Sequence, residues 1–275
     1  RTDGDLHGAV FHLSTWMYPA HRLQVLAEVT KRLRQGKPCF LVATQCVEAG
    51  VDVDFPAVWR AFGPYDSIVQ AAGRCNRNGA LDGLGQVHVF TPTDDTSPRG
   101  AYTSAMTNAH LLRKMGKADP NDPQSFDTYF RLFYQATVPD LGGCAVQSAR
   151  EKLHFKEVSE IFRFIDADSV PLLIESARMD DGQTVEDWRK KAAEKHYFTA
   201  DEWRAIQPFI VNLSYPASEK TRGFLSQTDS ELVFRDDDDV RGLRRMKLPS
   251  LYSDGPNGCG LDVTAESLAK LDTCP

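Results

Sequence analysis

Nowhere does this sequence hold an apolar run approaching the roughly 20 residues that a membrane-crossing helix needs, and no leader-peptide pattern is visible at its start. A membrane partner is therefore not expected. Paired cysteines are missing too. The six present (Cys39, Cys46, Cys75, Cys144, Cys259 and Cys274) make no C-x-x-C pair and no Cys/His ligand spacing, so no metal site is expected. Scattered thiols in a chain of this length fit a reducing compartment, most simply the cytoplasm. An excess of positive charge is also absent. Lys and Arg number 32 against 38 Asp and Glu, a formal net charge of −6. That balance excludes a protein that coats nucleic acid by bulk charge, but it leaves room for a local basic channel. No internal repeat is evident. The first residue is Arg1 rather than Met, and the chain is expected to be part of a longer protein.

What is present is ordinary globular composition, 41% apolar and 25% charged over 275 residues, enough for one large domain or two modest ones. "AVFHLS" (Ala9–Ser14) reads as a short buried strand. "PAHRLQVLAEVTKRLRQG" follows as a helix, with Pro19 in its first turn, Arg32 and Arg34 at its C-terminal dipole, and Gly36 just past the end. Leu23, Leu26, Ala27, Thr30 and Leu33 share one face, which predicts packing on a sheet. "CFLVAT" (Cys39–Thr44) and "AVWRAF" (Ala57–Phe62) are unbroken apolar runs, the pattern of strands buried on both faces of a parallel sheet. Asp66 is placed to cap a helix through "SIVQAAGRCNR", and "QVHVFT" (Gln86–Thr91) is a further strand. This order predicts an α/β fold with a parallel sheet over residues 1–98.

"TDDTSPRG" marks a boundary, after which a helical extension is expected over 99–141 and a mostly helical, mixed α+β domain over 142–275. Phe126, Tyr129, Phe130, Phe133 and Tyr134 form an aromatic stripe at helical spacing, read as core rather than as a base-stacking platform. Further strands are expected at "SVPLLI" and "FIVNLS", with helices near Phe155–Phe164, Val185–Lys195 and Ala200–Gln207. "RDDDDVRGLRRMK" reads as a solvated loop, in which Arg241, Arg244, Arg245 and Lys247 are the residues able to touch phosphate.

Ligands of an open parallel sheet bind beyond the carboxyl ends of its strands. Ser14 and Thr15 end one predicted strand and Thr44 and Gln45 another, and such hydroxyl and amide groups donate to phosphate oxygens without reading sequence. Gly50 lets the backbone turn, and Asp52 sets a carboxylate just beyond it. Gln70, Arg74 and Arg77 lie on the next predicted helix, where a three-residue spacing lets both arginines reach one anion.

"VATQCVEAGVDVDF" and "QAAGRCNRNG" resemble motifs V and VI (Q-x-x-G-R-x-x-R) of superfamily 2 helicases, and "FHLSTWMYPAHR" resembles the region of motif IV. The fuller wording is similar to the helicase–nuclease of type I CRISPR interference, over roughly the first 95 residues. The resemblance implies a second RecA-like lobe, a parallel sheet with helices on both faces, followed by an accessory domain. It implies that Thr44 and Gln45 couple the nucleic-acid backbone to the ATP site. Asp52 and Gly50 then sit at the nucleotide edge, Gln70 contacts the nucleotide, and Arg74 and Arg77 act as arginine fingers. Ser14 and Thr15 grip the strand. The implied cofactor is ATP with Mg²⁺, bound mainly by a first lobe, and the implied partners are single-stranded DNA, that lobe with a nuclease domain, and an RNA-guided surveillance complex. Trp188, Tyr197 and Trp203 are candidates for base stacking in the accessory domain, with core packing the favoured reading.

Two pieces of such a motor are not in this sequence. There is no phosphate loop G-x-x-x-x-G-K-[ST] and no D-E-x-H box, and no His is followed by Asp as the nuclease metal motif requires. The chain is therefore expected to be inactive as an ATPase without the first lobe. The alternatives are a fragment of another superfamily 2 RNA or DNA helicase, or a non-catalytic nucleic-acid or protein interaction module. An upstream phosphate loop in the neighbouring coding sequence separates these.

Overall fold

The computed structural model describes residues 8–93, 101–136, 145–162, 169–193, 199–214, 234–236, 244–246 and 249–262. The expected boundaries near 98 and 141, and Tyr197, Arg241 and Lys247, lie outside the described residues. Packing divides the chain into two compact units. One is residues 1–47 with 167–275, and the other is 48–166.

In the first unit, β1 (Val10–Leu13) pairs in parallel with β2 (Phe40–Ala43), Val10 opposite Phe40 and Leu13 opposite Ala43. Between them runs α1 (Pro19–Arg34), which starts on its proline and ends in three basic residues at Lys31, Arg32 and Arg34. Gly36 then takes a φ of +62°, the left-handed turn for which glycine is suited. The rest of the unit is a four-stranded sheet in the order β6 (Ile210–Ser214), β5 (Ser169–Ile174), β8 (Arg244–Met246), β7 (Phe234–Asp236). β5 is antiparallel to β6 and parallel to β8, and β7 is antiparallel to β8. α7 (Val185–Ala193) and α8 (Ala200–Ile206) cover it. Thr199 and Glu202 close a reciprocal capping box at the start of α8. The core joins Leu172, Leu173, Ile174, Ile206 and Met246 to Tyr18 and Tyr252. Trp188 and Trp203 pack against that core, as the core reading anticipated. A hairpin, β9 (Tyr252–Ser253) and β10 (Gly260–Leu261), completes the unit.

In the second unit, β3 (Ala57–Ala61) pairs in parallel with β4 (Gln86–Phe90), and α2 (Tyr65–Ala72) connects them. α3 (Ala101–Lys114) and α4 (Pro123–Ala136) form a core with α2 through Phe62, Tyr65, Ala109, Leu112 and Tyr129. Two short helices, α5 (Ala145–Glu151) and α6 (Phe155–Ile161), follow.

Several expectations need correction. The described strands form small separate sheets rather than one broad parallel sheet, although both N-terminal pairs are parallel. β2 is not buried on both faces: Phe40 and Val42 are 51% and 59% exposed, and among the described residues β2 has one strand partner. On α1 the buried residues are His21, Val25 and Val29, while Leu23 is 68% exposed. The helix carries two apolar stripes, and packing chose the one spaced i, i+4, i+8. Asp66 does not cap α2. Pro64 is the N-cap, and the Asp66 carboxylate instead accepts a hydrogen bond from Tyr129 Oη at 3.2 Å. The aromatic stripe of α4 is split, since Tyr129 is buried and Phe126 packs beside it, whereas Phe130 and Tyr134 are open to solvent. Arg245 is no solvated loop residue. It is buried in β8, and its Nη1 donates to the buried Glu175 carboxylate at 3.3 Å, which Arg189 also meets.

Candidate functional site

The second unit begins with the loop Glu48–Asp54, the segment read as strand- and nucleotide-sensing. Gly50 has a φ of +73°, and a Cβ there would meet nothing within 4 Å, so this glycine serves the turn rather than a close approach. Val53 is buried, which leaves Asp52 and Asp54 on the loop's polar side. α2 stops at Ala72 with Gly73 as its C-cap. The chain from Arg74 to Asn76 is then drawn alongside Phe55. Phe55 N donates to Arg74 O and Asn76 N to Phe55 O, each at 2.9 Å. The Asp54 carboxylate closes the next turn by accepting from Arg77 N at 2.7 Å and Asn78 N at 3.0 Å. Asn76 has a φ of +46°, a conformation that asparagine tolerates, and its side chain bonds Leu81 N and Gly83 O.

This lacing overturns the expectation that Arg74 and Arg77 share a helix face. Both lie beyond the helix. The bonds to Phe55 and Asp54 compete successfully with a further helical turn, so long-range pairing, not helical periodicity, directs the two side chains. Arg74 is half-buried, and its Nη2 donates to the backbone carbonyl of Glu48 at 2.7 Å. The Glu48 carboxylate is in turn paired with Arg60 Nη2 at 2.9 Å, with side chains only 10% and 16% exposed. Arg60 also donates to Ala61 O and reaches Tyr102 Oη at 3.4 Å. Arg77 points to the carboxylate of Asp52, Nη1 to Oδ1 3.6 Å, with the Arg77 side chain 42% and the Asp52 side chain 85% exposed. Gln70 is exposed near the end of α2.

The two arginines therefore differ. Arg77 sits in a loose, solvated ion pair, which contributes little by itself and exchanges readily for a phosphate oxygen. Arg74 is held by a backbone carbonyl whose own residue is anchored by a nearly buried ion pair. Glu48, Asp54 and Arg60 are the residues that motif reading passed over. An arginine inside the apolar strand "AVWRAF" was the available signal, because a charge there needs a partner. Chemically, the arrangement offers a guanidinium able to leave its carboxylate for another anion. Among the described residues no group of three His, Cys, Asp or Glu side chains is arranged to hold a metal ion.

In the first unit, Ser14 and Thr15 follow β1, and Thr44 and Gln45 follow β2. The parallel register brings both pairs to the carboxyl end of the same two strands. Thr44 N donates to Leu13 O at 3.0 Å, which continues the pairing by one step. Thr15, Thr44 and Gln45 are exposed. Ser14 is buried, and its Oγ accepts from Trp16 N at 3.3 Å, so it shapes the loop that presents Thr15.

Comparison with known proteins finds a likeness over the N-terminal part of the sequence and in fold. Residues 4–80 match the family model described as CRISPR-associated nuclease/helicase Cas3, C-terminal. The curated CRISPR-associated nuclease/helicase Cas3 of Haloferax volcanii is 35% identical over 123 residues, which are 42% of this chain and 13% of that protein. Crystal structures of T. fusca Cas3 share the fold. The Cas3–ATP structure aligns with a TM-score of 0.52 and 17% identity over 86% of this chain and 32% of that one. The Cas3–AMPPNP structure gives 0.51 and 16% over the same shares. The chain thus spans about a third of the solved relatives' length and 13% of the curated one.

Proposed function

We propose that this chain, whose residues 4–80 match the model of the Cas3 nuclease/helicase C-terminal region, is the C-terminal part of an ATP-dependent DNA helicase of type I CRISPR interference. In this reading residues 1–98 are the second, RecA-like lobe and supply one side of the ATP site, with the accessory domain following. Arg77 and Arg74 are its arginine fingers, Asp52 and Gly50 its nucleotide edge, and Gln70 a nucleotide contact. Thr44, Gln45 and Thr15 serve the DNA backbone, and Ser14 shapes the loop that presents Thr15. ATP with Mg²⁺, held mainly by a first lobe, supplies the phosphoryl group whose developing charge the fingers stabilise. Single-stranded DNA displaced by an RNA-guided complex is the proposed track.

The observation that carries this reading is the lacing of the Arg74–Asn78 turn to the Asp54–Phe55 strand. It holds Arg77 beside Asp52 on a short, solvent-facing edge. Residues of two sequence motifs, widely spaced along the chain, are thereby gathered at one anion-accepting spot. Arg77 can leave Asp52 for phosphate at small cost, because both side chains are hydrated.

Two measurements test it. The purified chain should show no ATPase activity and should gain it when joined to a lobe bearing a phosphate loop. Robust turnover by the chain alone would sink the half-site model. In the joined protein, Arg77→Ala should lower kcat for ATP by about 10³-fold or more, on the scale of other arginine fingers, with DNA affinity nearly unchanged. An unaltered kcat would remove Arg77 from that role.

A further inference from the structure

The loop Ser14–Tyr18, which presents Thr15, is bonded to a segment more than 230 residues away in the same compact unit. Leu261 N donates to Trp16 O at 2.9 Å. Tyr18 N donates to Tyr252 Oη at 3.1 Å, and Tyr18 Oη donates to Asp254 Oδ1 at 2.9 Å. The Tyr18 and Tyr252 rings stack at a centroid distance of 4.9 Å and an interplanar angle of 19°. Just before the loop, Asn257 Nδ2 donates to Val10 O at 2.8 Å. Gly260 has a φ of +81°, and a Cβ on it would come within 2.6 Å of Met17 Cγ and 2.7 Å of Trp16 O, so the hairpin lies directly against the loop backbone.

Fully buried His21 locks the arrangement from α1. Its Nε2 faces Gly255 O at 2.6 Å, and a carbonyl only accepts, so Nε2 carries the proton. Nδ1 then accepts from Tyr252 Oη at 2.8 Å, and the same oxygen accepts from Tyr18 N. The Tyr252 hydroxyl, bonded to both His21 Nδ1 and Tyr18 N, is the atom that joins hairpin, loop and helix.

We infer that the hairpin Tyr252–Leu261 is a clasp that sets the conformation of the loop Ser14–Tyr18, with Tyr252 a positioning residue for the strand contact made by Thr15. This rests on the proposed reading of that loop as a DNA-gripping element. It gives the C-terminal residues a role in the grip without requiring them to touch DNA. The loop's internal bonds, Met17 N to Ser14 O and Trp16 N to Ser14 Oγ, are both long at 3.3 Å. The hairpin supplies the bonds that a loop of this kind lacks.

The test uses the full 275-residue chain and a fluorescent oligothymidylate. Tyr252→Phe keeps the ring stack but strands Tyr18 N–H and His21 Nδ1. Hydrogen exchange across Leu13–Ala20 should quicken roughly tenfold or more, as expected when a buried bond is lost, and the Kd for the oligonucleotide should rise several-fold. Asp254→Ala, which removes the second anchor of Tyr18, should act in the same direction and serves if Tyr252→Phe fails to fold. Ile206→Val, a core change of the same unit that makes none of these bonds, should leave both readouts at the wild-type value. Unchanged exchange in the Tyr252 and Asp254 variants would overturn the clasp. Faster exchange with an unchanged Kd would overturn the positioning role, as would an equal loss of affinity in Ile206→Val. If the unaltered chain bound no oligothymidylate, the DNA-gripping reading would fall, while exchange would still uphold or overturn the clasp.

Discussion

Arg74 and Arg77 are three positions apart in sequence, yet they meet different partners: a backbone carbonyl and a solvated carboxylate. The ion pair behind Arg74 offers the sharper stability test. Arg60→Met leaves the Glu48 carboxylate nearly buried without its cation. Breaking one member of such a pair typically costs about 3–5 kcal/mol, so the urea midpoint of the second unit should fall markedly. Arg60→Met combined with Glu48→Met should recover much of that loss, because the pair's desolvation is then avoided as well. If the double variant is as unstable as the two single losses added together, the pair is not the coupled unit described. Asp54→Ala tests the turn itself. It removes the acceptor of two backbone N–H groups, and the Arg77 turn should loosen without unfolding the unit, visible as faster exchange at Arg77 and Asn78. Motif spacing singled out Asp52, Gln70, Arg74 and Arg77 as candidates. It could not give Glu48, Asp54 or Arg60 their roles, since those depend on which backbone lies alongside.

At the scale of elements, the ends of α1 were readable because capping is local: Pro19 begins the helix and Gly36 follows its last turn. Its buried face was not readable, because two apolar stripes compete and only the neighbours decide between them. Val29→Ala should therefore destabilise the first unit by on the order of 2 kcal/mol. Leu23→Gln should leave the midpoint of the isolated chain almost unmoved, since Leu23 is already in solvent. A large loss from Leu23→Gln in thermal unfolding would mean that the exposed stripe packs after all. α2 failed in the other direction. Its pattern suggested a helix running through Arg77, but Gly73 and the paired bonds to Phe55 end it five residues earlier.

Across the whole molecule, buried tyrosines tie stability to pH. Burial pushes the hydroxyl pKa of Tyr18, Tyr129 and Tyr252 above its usual value of 10.0, and the nearby carboxylates Asp254 (Tyr18, Tyr252) and Asp66 (Tyr129) add to it. A raised folded-state pKa means that the stabilisation is complete below about pH 10 and is lost as pH rises beyond it, because only the unfolded chain ionises there. Circular dichroism should thus show alkaline unfolding setting in above about pH 10, and Tyr18 and Tyr252 place that sensitivity in the clasp. A midpoint independent of pH between 9 and 12 would contradict it. The Cas3 likeness extends over most of the chain in fold, but over residues 4–80 in family pattern.

Reading residues in order was enough to place most of the elements and to single out the motif residues as candidates. Strands, helices and turns follow from hydrophobic period, proline and glycine, and the motif residues follow from spacing, because both are properties of near neighbours along the chain. Contacts between distant residues lay beyond that reach. Phe55 straightens the chain after α2, Glu48 takes Arg74, and Tyr252 holds a loop more than 230 residues earlier. A hydrogen bond or a buried face depends on which surfaces meet, and that is settled only when the chain folds back on itself.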